Sequence, residues 1–289
     1  MTPLVLCRFA HFASLMLAFG ASAYLRLCAP NGLRAALGPN ASRVVAAAGV
    51  AAFLSAILWL LAETAAMADD WRSAFDRETI AEVLTDTEFG RVWIARLVLA
   101  GALAILVVAV PGRWAATAFL SGVVLASLAL VGHAAMRSGA WGAFQRTNDA
   151  IHLMSAGAWI GGLFGFIGSL GAYRDERLRR DAVGAMTRFS FTGQFVVAAI
   201  IVSGAVNIAL VSGRAPIPPT TPYRALLCAK ITLVTLMIAL AATNRFVLAP
   251  KLATHPNALA RLRATATAEV ALGTAVVALV SVFALLNPA

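Results

Sequence analysis

Eight runs of about twenty apolar residues restrict this chain's fold more than any other feature. They lie at roughly 4–27, 43–68, 92–110, 114–134, 149–171, 189–212, 224–246 and 264–286. A helix needs about 20 apolar residues to cross the hydrocarbon core of a bilayer. None of the runs shows the period-2 alternation of a spanning β-strand. Backbone polar groups in lipid must find partners within their own segment, which leaves helices. The chain therefore reads as an all-α integral membrane protein, a bundle of eight transmembrane helices forming a single polytopic domain over 1–289. Composition agrees, since 61% of the 289 residues are hydrophobic and 12% charged, against about a quarter charged in soluble domains.

The formal net charge of +10 does not indicate nucleic acid, because no basic stripe with interleaved aromatics is present. The basic residues follow the positive-inside pattern instead. The connections after spans 1, 3, 5 and 7 carry Arg26, Arg34, Arg43, Arg113, Arg174, Arg177, Arg179, Arg180, Arg188, Arg245, Lys251, Arg261 and Arg263. The other connections carry fewer: Arg72, Arg77, Arg91, Arg137, Arg146, Arg214 and Arg224. The 69–91 connection is also acidic (Asp69, Asp70, Asp76, Glu78, Glu82, Asp86, Glu88). Both termini are thus expected outside. The stretch AFGASA (18–23) resembles a cleavage site, but no positive charge precedes Arg8, so the first helix is expected to be retained.

Connections divide by composition. Helix-like spacing over 69–91 predicts a short outer helix on the membrane surface, and the proline-rich 212–225 predicts an extended outer loop. Gly157, Gly161 and Gly165 recur every four residues, a spacing that lets helices approach closely. Cys7, Cys28 and Cys228 are too scattered for a disulfide framework or a zinc finger.

Polar groups inside spans are costly and are candidates for function. Here they are His11, Glu63, His133, His152, Asn207, Lys230, Asn244 and Glu269. At about 1.5 Å per helical residue, His11, His133 and His152 come to one level in the outer part of the bundle. Met16, Met67, Met136 and Met154 fall in the same half. Cys7 and His11 share a helix face, as do Glu63 and Met67. Imidazole with thioether and thiolate suits copper, as Cu(I) or Cu(II). A metal site of His11, His133 and His152, with Met67, Met136, Met154 and Cys7 as further ligands, is therefore expected to face one outer cavity. Thr147 or Asn148 is expected to cap the helix that carries His152. The competing reading makes each histidine an interfacial residue, each methionine a gap-filler and each cysteine a buried apolar residue. Lys230 and Glu269 pair with each other or with Asn207 and Asn244 on a structural reading. On a functional one, Glu63, Asn207, Lys230, Asn244 and Glu269 line a proton or ion pathway.

Three stretches carry a family resemblance: TRFSFTGQFVVAAIIVSGAVNIAL (187–210), YRALLCAKITLVTLMIALAATNRFVLAPKL (223–252) and AEVALGTAVVALVSVFALLNP (268–288). Together with GHAA (132–135) and IHLMSAGAWIGGL (151–163), they resemble the copper resistance protein D (CopD/PcoD) family. The resembling positions include Arg188-Phe189-Ser190, Gly204, Asn207, Tyr223, Leu227, Lys230, Asn244-Arg245 and Glu269. The likeness covers 130–289 well and the first half more loosely. It implies a bacterial inner-membrane protein with both termini periplasmic, which moves copper from periplasm to cytoplasm. A separate CopC-like periplasmic copper protein is an implied partner. The expectation is copper transport or homeostasis, with no enzymatic activity. The alternative is a haem-binding electron carrier using His11 with His133 or His152.

Overall fold

The computed structural model describes residues 2–131, 139–212, 221–283 and 286. No strand occurs among them. The chain runs through α1 (Thr2–Leu27), α2 (Asn31–Ala68), a 3-10 turn (Trp71–Phe75), α3 (Arg77–Asp86), α4 (Glu88–Ala109) and α5 (Trp114–Ala126). α5 tightens to a 3-10 turn over Ser127–Leu130. Then come α6 (Gly139–Ala172), α7 (Arg179–Ser212), α8 (Pro222–Thr243) and α9 (Ala258–Phe283). A π turn over Asn244–Leu248 continues α8. Among the described residues, 7 helices are long and apolar enough to cross a membrane, and the shorter apolar Trp114–Leu130 supplies an eighth.

The expected spans are recovered, but several helices begin earlier than hydropathy places them. α2 begins at Asn31 rather than 43 and accommodates Pro39, α6 begins at Gly139 rather than 149, and α7 begins at Arg179 rather than 189. Apolar runs mark only the lipid-buried part of a helix, and these extensions are polar or amphipathic turns beyond it. One consequence is a correction: Thr147 and Asn148 cap nothing, because both lie inside α6.

α1 is the central helix and packs on α2, α5, α6 and α9. The α1–α6 contact is the closest, because glycines remove the side chains that would separate the backbones. A Cβ built at Gly161 would stand 2.0 Å from the Met16 carbonyl oxygen, and one at Gly20 would stand 2.3 Å from that of Gly157. The four-residue glycine spacing thus performs the packing expected of it. α7 rests chiefly on α6 and α8 chiefly on α9. Both turn Phe195, Ile201, Val202 and Leu236 outward, as lipid-facing helices do. Trp71, Phe75, Trp141 and Phe144 are exposed around the expected outer end, where amphipathic aromatics anchor membrane proteins.

The short helix expected within 69–91 is present as α3. Its cap is Asp76, whose carboxylate accepts from the Thr79 amide at 2.9 Å and the Thr79 hydroxyl at 2.6 Å. These bonds, the hydroxyl first, hold the Asp76 carboxyl below its ordinary range. A depressed folded value means that the cap contributes fully above the unfolded carboxylate range and is lost as pH falls through the folded value. Asp76→Ala should therefore speed amide exchange over the first turn of α3 at neutral pH. Acidification should lower protection there, relative to the intrinsic exchange rate at each pH, in the wild type and change it little in the variant; equal acid sensitivity of protection in both would refute the cap.

Candidate functional site

A cavity of about 660 Å³ lies among α1, α2, α6, α7, α8 and α9. Most of its wall is apolar, including Phe12, Trp159, Ile160, Ile200, Leu227 and Val276. Its polar lining comes from several helices, with Arg8, Glu63, Asn207, Tyr223 and Lys230 among them, and α6 contributes Gln145, Asp149 and His152 together. The spacing i, i+4, i+7 puts the three on one helical stripe. Each presents an electron pair, from an amide oxygen, a carboxylate and an imidazole. Buried Gln145 has no partner for its Oε1 among the described residues.

Hydrogen bonds fix the tautomer of His152. Ser203 Oγ donates its single proton to the Ala199 carbonyl of its own helix, so it accepts at 2.9 Å from His152 Nδ1–H. Nε2 then carries the lone pair and has no protein partner among the described residues. A metal-ligating histidine is usually oriented in this way, donating its second ring N–H to an acceptor behind it. Asp149 is oriented too. Asn207 Nδ2 donates to its Oδ1 at 3.1 Å, and Asn148 Nδ2 donates to Asn207 Oδ1 at 2.8 Å and to the Ser203 carbonyl at 2.9 Å. Lys230 completes this corner of the wall and interacts electrostatically with Asp149 and His152. The pairing of Lys230 with Glu269 is thus replaced by one with Asp149, and Asn207 is the tie between α6 and α7.

His11 does not join this group. It is fully buried and turned toward α2, α4 and α5. Its Nε2 faces Arg96 Nη2 at 2.6 Å, and its Nδ1 faces the Ala52 carbonyl at 2.9 Å. Arginine only donates, so Nε2 accepts and Nδ1–H donates to Ala52. Arg96 also donates to the Val124 carbonyl at 3.0 Å and to Ser127. Trp59 and Trp93 flank the imidazole at 5.8 and 6.2 Å. With both ring nitrogens occupied, His11 ties α1 to α2 and α4 and has no electron pair for a metal. This corrects its expected place beside His152. It also takes His11 out of the expected haem pairing with His152. Arg96→Met should leave Nε2 of His11 buried without a partner, a cost of about 1–3 kcal/mol. His11→Phe combined with Arg96→Met should recover most of that loss in thermal unfolding; additive losses would contradict the pairing.

The remaining candidates are dispersed. His133 and Met136 lie outside the described residues. Cys7 is a partly buried free thiol packed on the core. The Met154 methyl lies 3.2 Å from a Cβ built at Gly122, filling the gap there, and Met67 is half exposed. Glu63 lines the cavity and accepts from Trp59 Nε1 at 3.1 Å, one turn back on α2. Arg8 lies over that same indole, 4.8 Å from its centroid. Glu269 is buried on α9, where it accepts from Asn244 Nδ2 at 2.6 Å and Trp159 Nε1 at 3.2 Å. This is the Asn244 pairing expected on the structural reading. Among the described residues, no three His, Cys, Asp or Glu side chains are grouped to hold a metal ion. The stripe on α6 supplies a partial ligand set. Starting the span at 149 left Gln145 outside it and Asp149 at its very edge; the signal was Gln145-x3-Asp149-x2-His152 in a stretch free of proline.

Comparison with known proteins fits this architecture. The family described as copper resistance protein D-like, N-terminal domain, matches residues 1–143, and copper resistance protein D matches residues 183–283. Inner membrane protein YebZ of Escherichia coli (strain K12) is 34% identical over 283 residues, covering 97% of this chain and 97% of that protein. Copper resistance protein D of Pseudomonas syringae pv. tomato is 32% identical over 253 residues, covering 84% of this chain and 81% of that protein. No solved structure matches. A near full-length relative and two family matches, one in each half of the chain, fit a multi-pass inner-membrane protein, and the chain belongs to the copper resistance protein D family.

Proposed function

We propose that this protein carries copper across the inner membrane, from periplasm to cytoplasm, and receives it in the cavity at His152. The observation that carries this reading is the free Nε2 of His152, oriented by Ser203, with Asp149 and Gln145 on the same stripe of α6. Nitrogen and oxygen donors without a thioether suit Cu(II) at entry. The hydrogen-bonded Asn148–Asn207–Asp149 chain holds the carboxylate in place, as partners of metal ligands do. Charge distribution puts the His152 end of α6 outside, so copper arrives from the periplasm. A separate CopC-like periplasmic protein is its donor on this reading. The test is copper accumulation by cells expressing the wild type or Asp149→Asn. The variant should accumulate copper severalfold more slowly at equal protein level. Equal accumulation would remove the cavity from the route.

A further inference from the structure

Glu269 is an intramembrane carboxyl that the copper site does not use. It lies 11 residues into α9 from Ala258, on the order of 16 Å along the helix, and is 2% exposed. Its two oxygens accept from Asn244 Nδ2 and Trp159 Nε1, both uncharged. The Thr265 hydroxyl, one turn nearer the inner end, donates to Asn244 Oδ1 and so fixes the amide with its NH2 toward Glu269. Asn244 also opens the π turn, a helix distortion common at functional sites. The charged and titratable groups on the surrounding elements are engaged elsewhere. Arg245 donates to Ser190, Lys230 faces Asp149, Tyr24 bonds Ser169, and Tyr173 donates to the Leu252 carbonyl. Arg261 and Arg263 are exposed at the start of α9. Among the described residues, no charged group acts on Glu269.

A buried carboxylate without a counter-charge must take up a proton or bind a cation. Two neutral donors leave a lone pair on each oxygen for that purpose. Trp159 both lines the cavity and donates to Glu269. Charge on this carboxyl therefore holds the indole that forms part of the cavity wall, and neutralisation weakens that hold. We propose that Glu269 is a proton-binding site coupled to the cavity through Trp159. A proton adds to one carboxyl oxygen, and the O–H bond so formed breaks when the proton leaves. The coupling to cargo rests on the copper reading above; the proton site itself does not.

Infrared difference spectra of the full-length protein in lipid, between acid and alkaline buffer, test the site without copper. The wild type should show a protonated-carboxyl C=O band that is lost in Glu269→Gln. The double variant Asn244→Asp, Glu269→Gln moves the carboxyl to the facing position and should restore a band. A band unchanged in Glu269→Gln overturns the proposal, as does a carboxylate band that responds to added cations rather than pH. In proteoliposomes with a pH gradient, the gradient's stimulation of copper movement should be lost in Glu269→Gln and partly regained in the double variant. Equal stimulation in all three overturns the coupling. Absence of copper movement in the wild type would count against the copper reading and the coupling, while the infrared result still decides the proton site.

Discussion

His152→Ala should weaken copper binding and uptake by about 100-fold or more, whereas His11→Ala should retain copper binding in whatever protein folds. Sequence spacing treats the two histidines alike, because both sit in the outer part of an apolar bundle. Hydrogen bonding separates them. His152 has Nδ1 committed to Ser203 and Nε2 without a protein partner, on the wall of a cavity that also holds Asp149 and Gln145. His11 has Nε2 committed to Arg96 and Nδ1 to Ala52. Loss of the imidazole removes a metal bond that no neighbour replaces, whereas Asp149→Asn keeps an oxygen donor at the same place and loses only its charge. His152→Ala should therefore exceed Asp149→Asn in its effect on copper affinity and leave thermal unfolding nearly unchanged. His11→Ala should do the reverse, lowering stability by about 1–3 kcal/mol as Arg96 loses an acceptor. Equilibrium copper binding and thermal unfolding of the two variants side by side check this; matching copper loss in both would contradict the assignment.

Gly161→Val should prevent α1 and α6 from packing, and Gly161→Ala should already cost more than about 3 kcal/mol, the usual ceiling for overpacking. The added Cβ meets backbone on both sides: the Met16 carbonyl oxygen at 2.0 Å and the Gly20 Cα at 2.9 Å. Backbone cannot rotate away as a side chain can, so the two helices must separate along the seam. Their separation would also displace His152 and Trp159, which stand on the same helix. Gly171→Ala is the control, since no atom lies within 4 Å of a Cβ there. Expression level and unfolding temperature in detergent should fall steeply for Gly161→Ala and hardly for Gly171→Ala. Equal behaviour would mean that the seam is looser than described.

The spans were legible because hydropathy reports which residues face lipid. The glycine seam was legible because close packing requires small residues at a fixed spacing. Where helices protrude beyond the bilayer, that signal stops. Asn148 accordingly read as a cap, and Gln145 and Asp149 went unnoticed. Counting residues assigned His11 and His152 a depth but could not assign them a facing. Depth depends on counting residues, whereas facing depends on which neighbouring helix brings an arginine. Arg96 lies eight residues into α4, and as one more basic residue near a helix start it gave no sign that it would occupy an imidazole. Lys230 was legible as a buried cation needing a partner, but Asp149, at the edge of the expected span, was not recognised as that partner. Asn244 was one of several partners that the sequence left open for Glu269, because polarity marks a group that needs a partner without saying which helix supplies it.

Copper-edge X-ray absorption of the copper-loaded protein, wild type against His152→Ala, tests the central claim most directly. Wild type should show a shell of nitrogen and oxygen neighbours with imidazole scattering, and that scattering should disappear in His152→Ala. A sulfur-only shell, or a spectrum unchanged by the substitution, would contradict copper reception at His152.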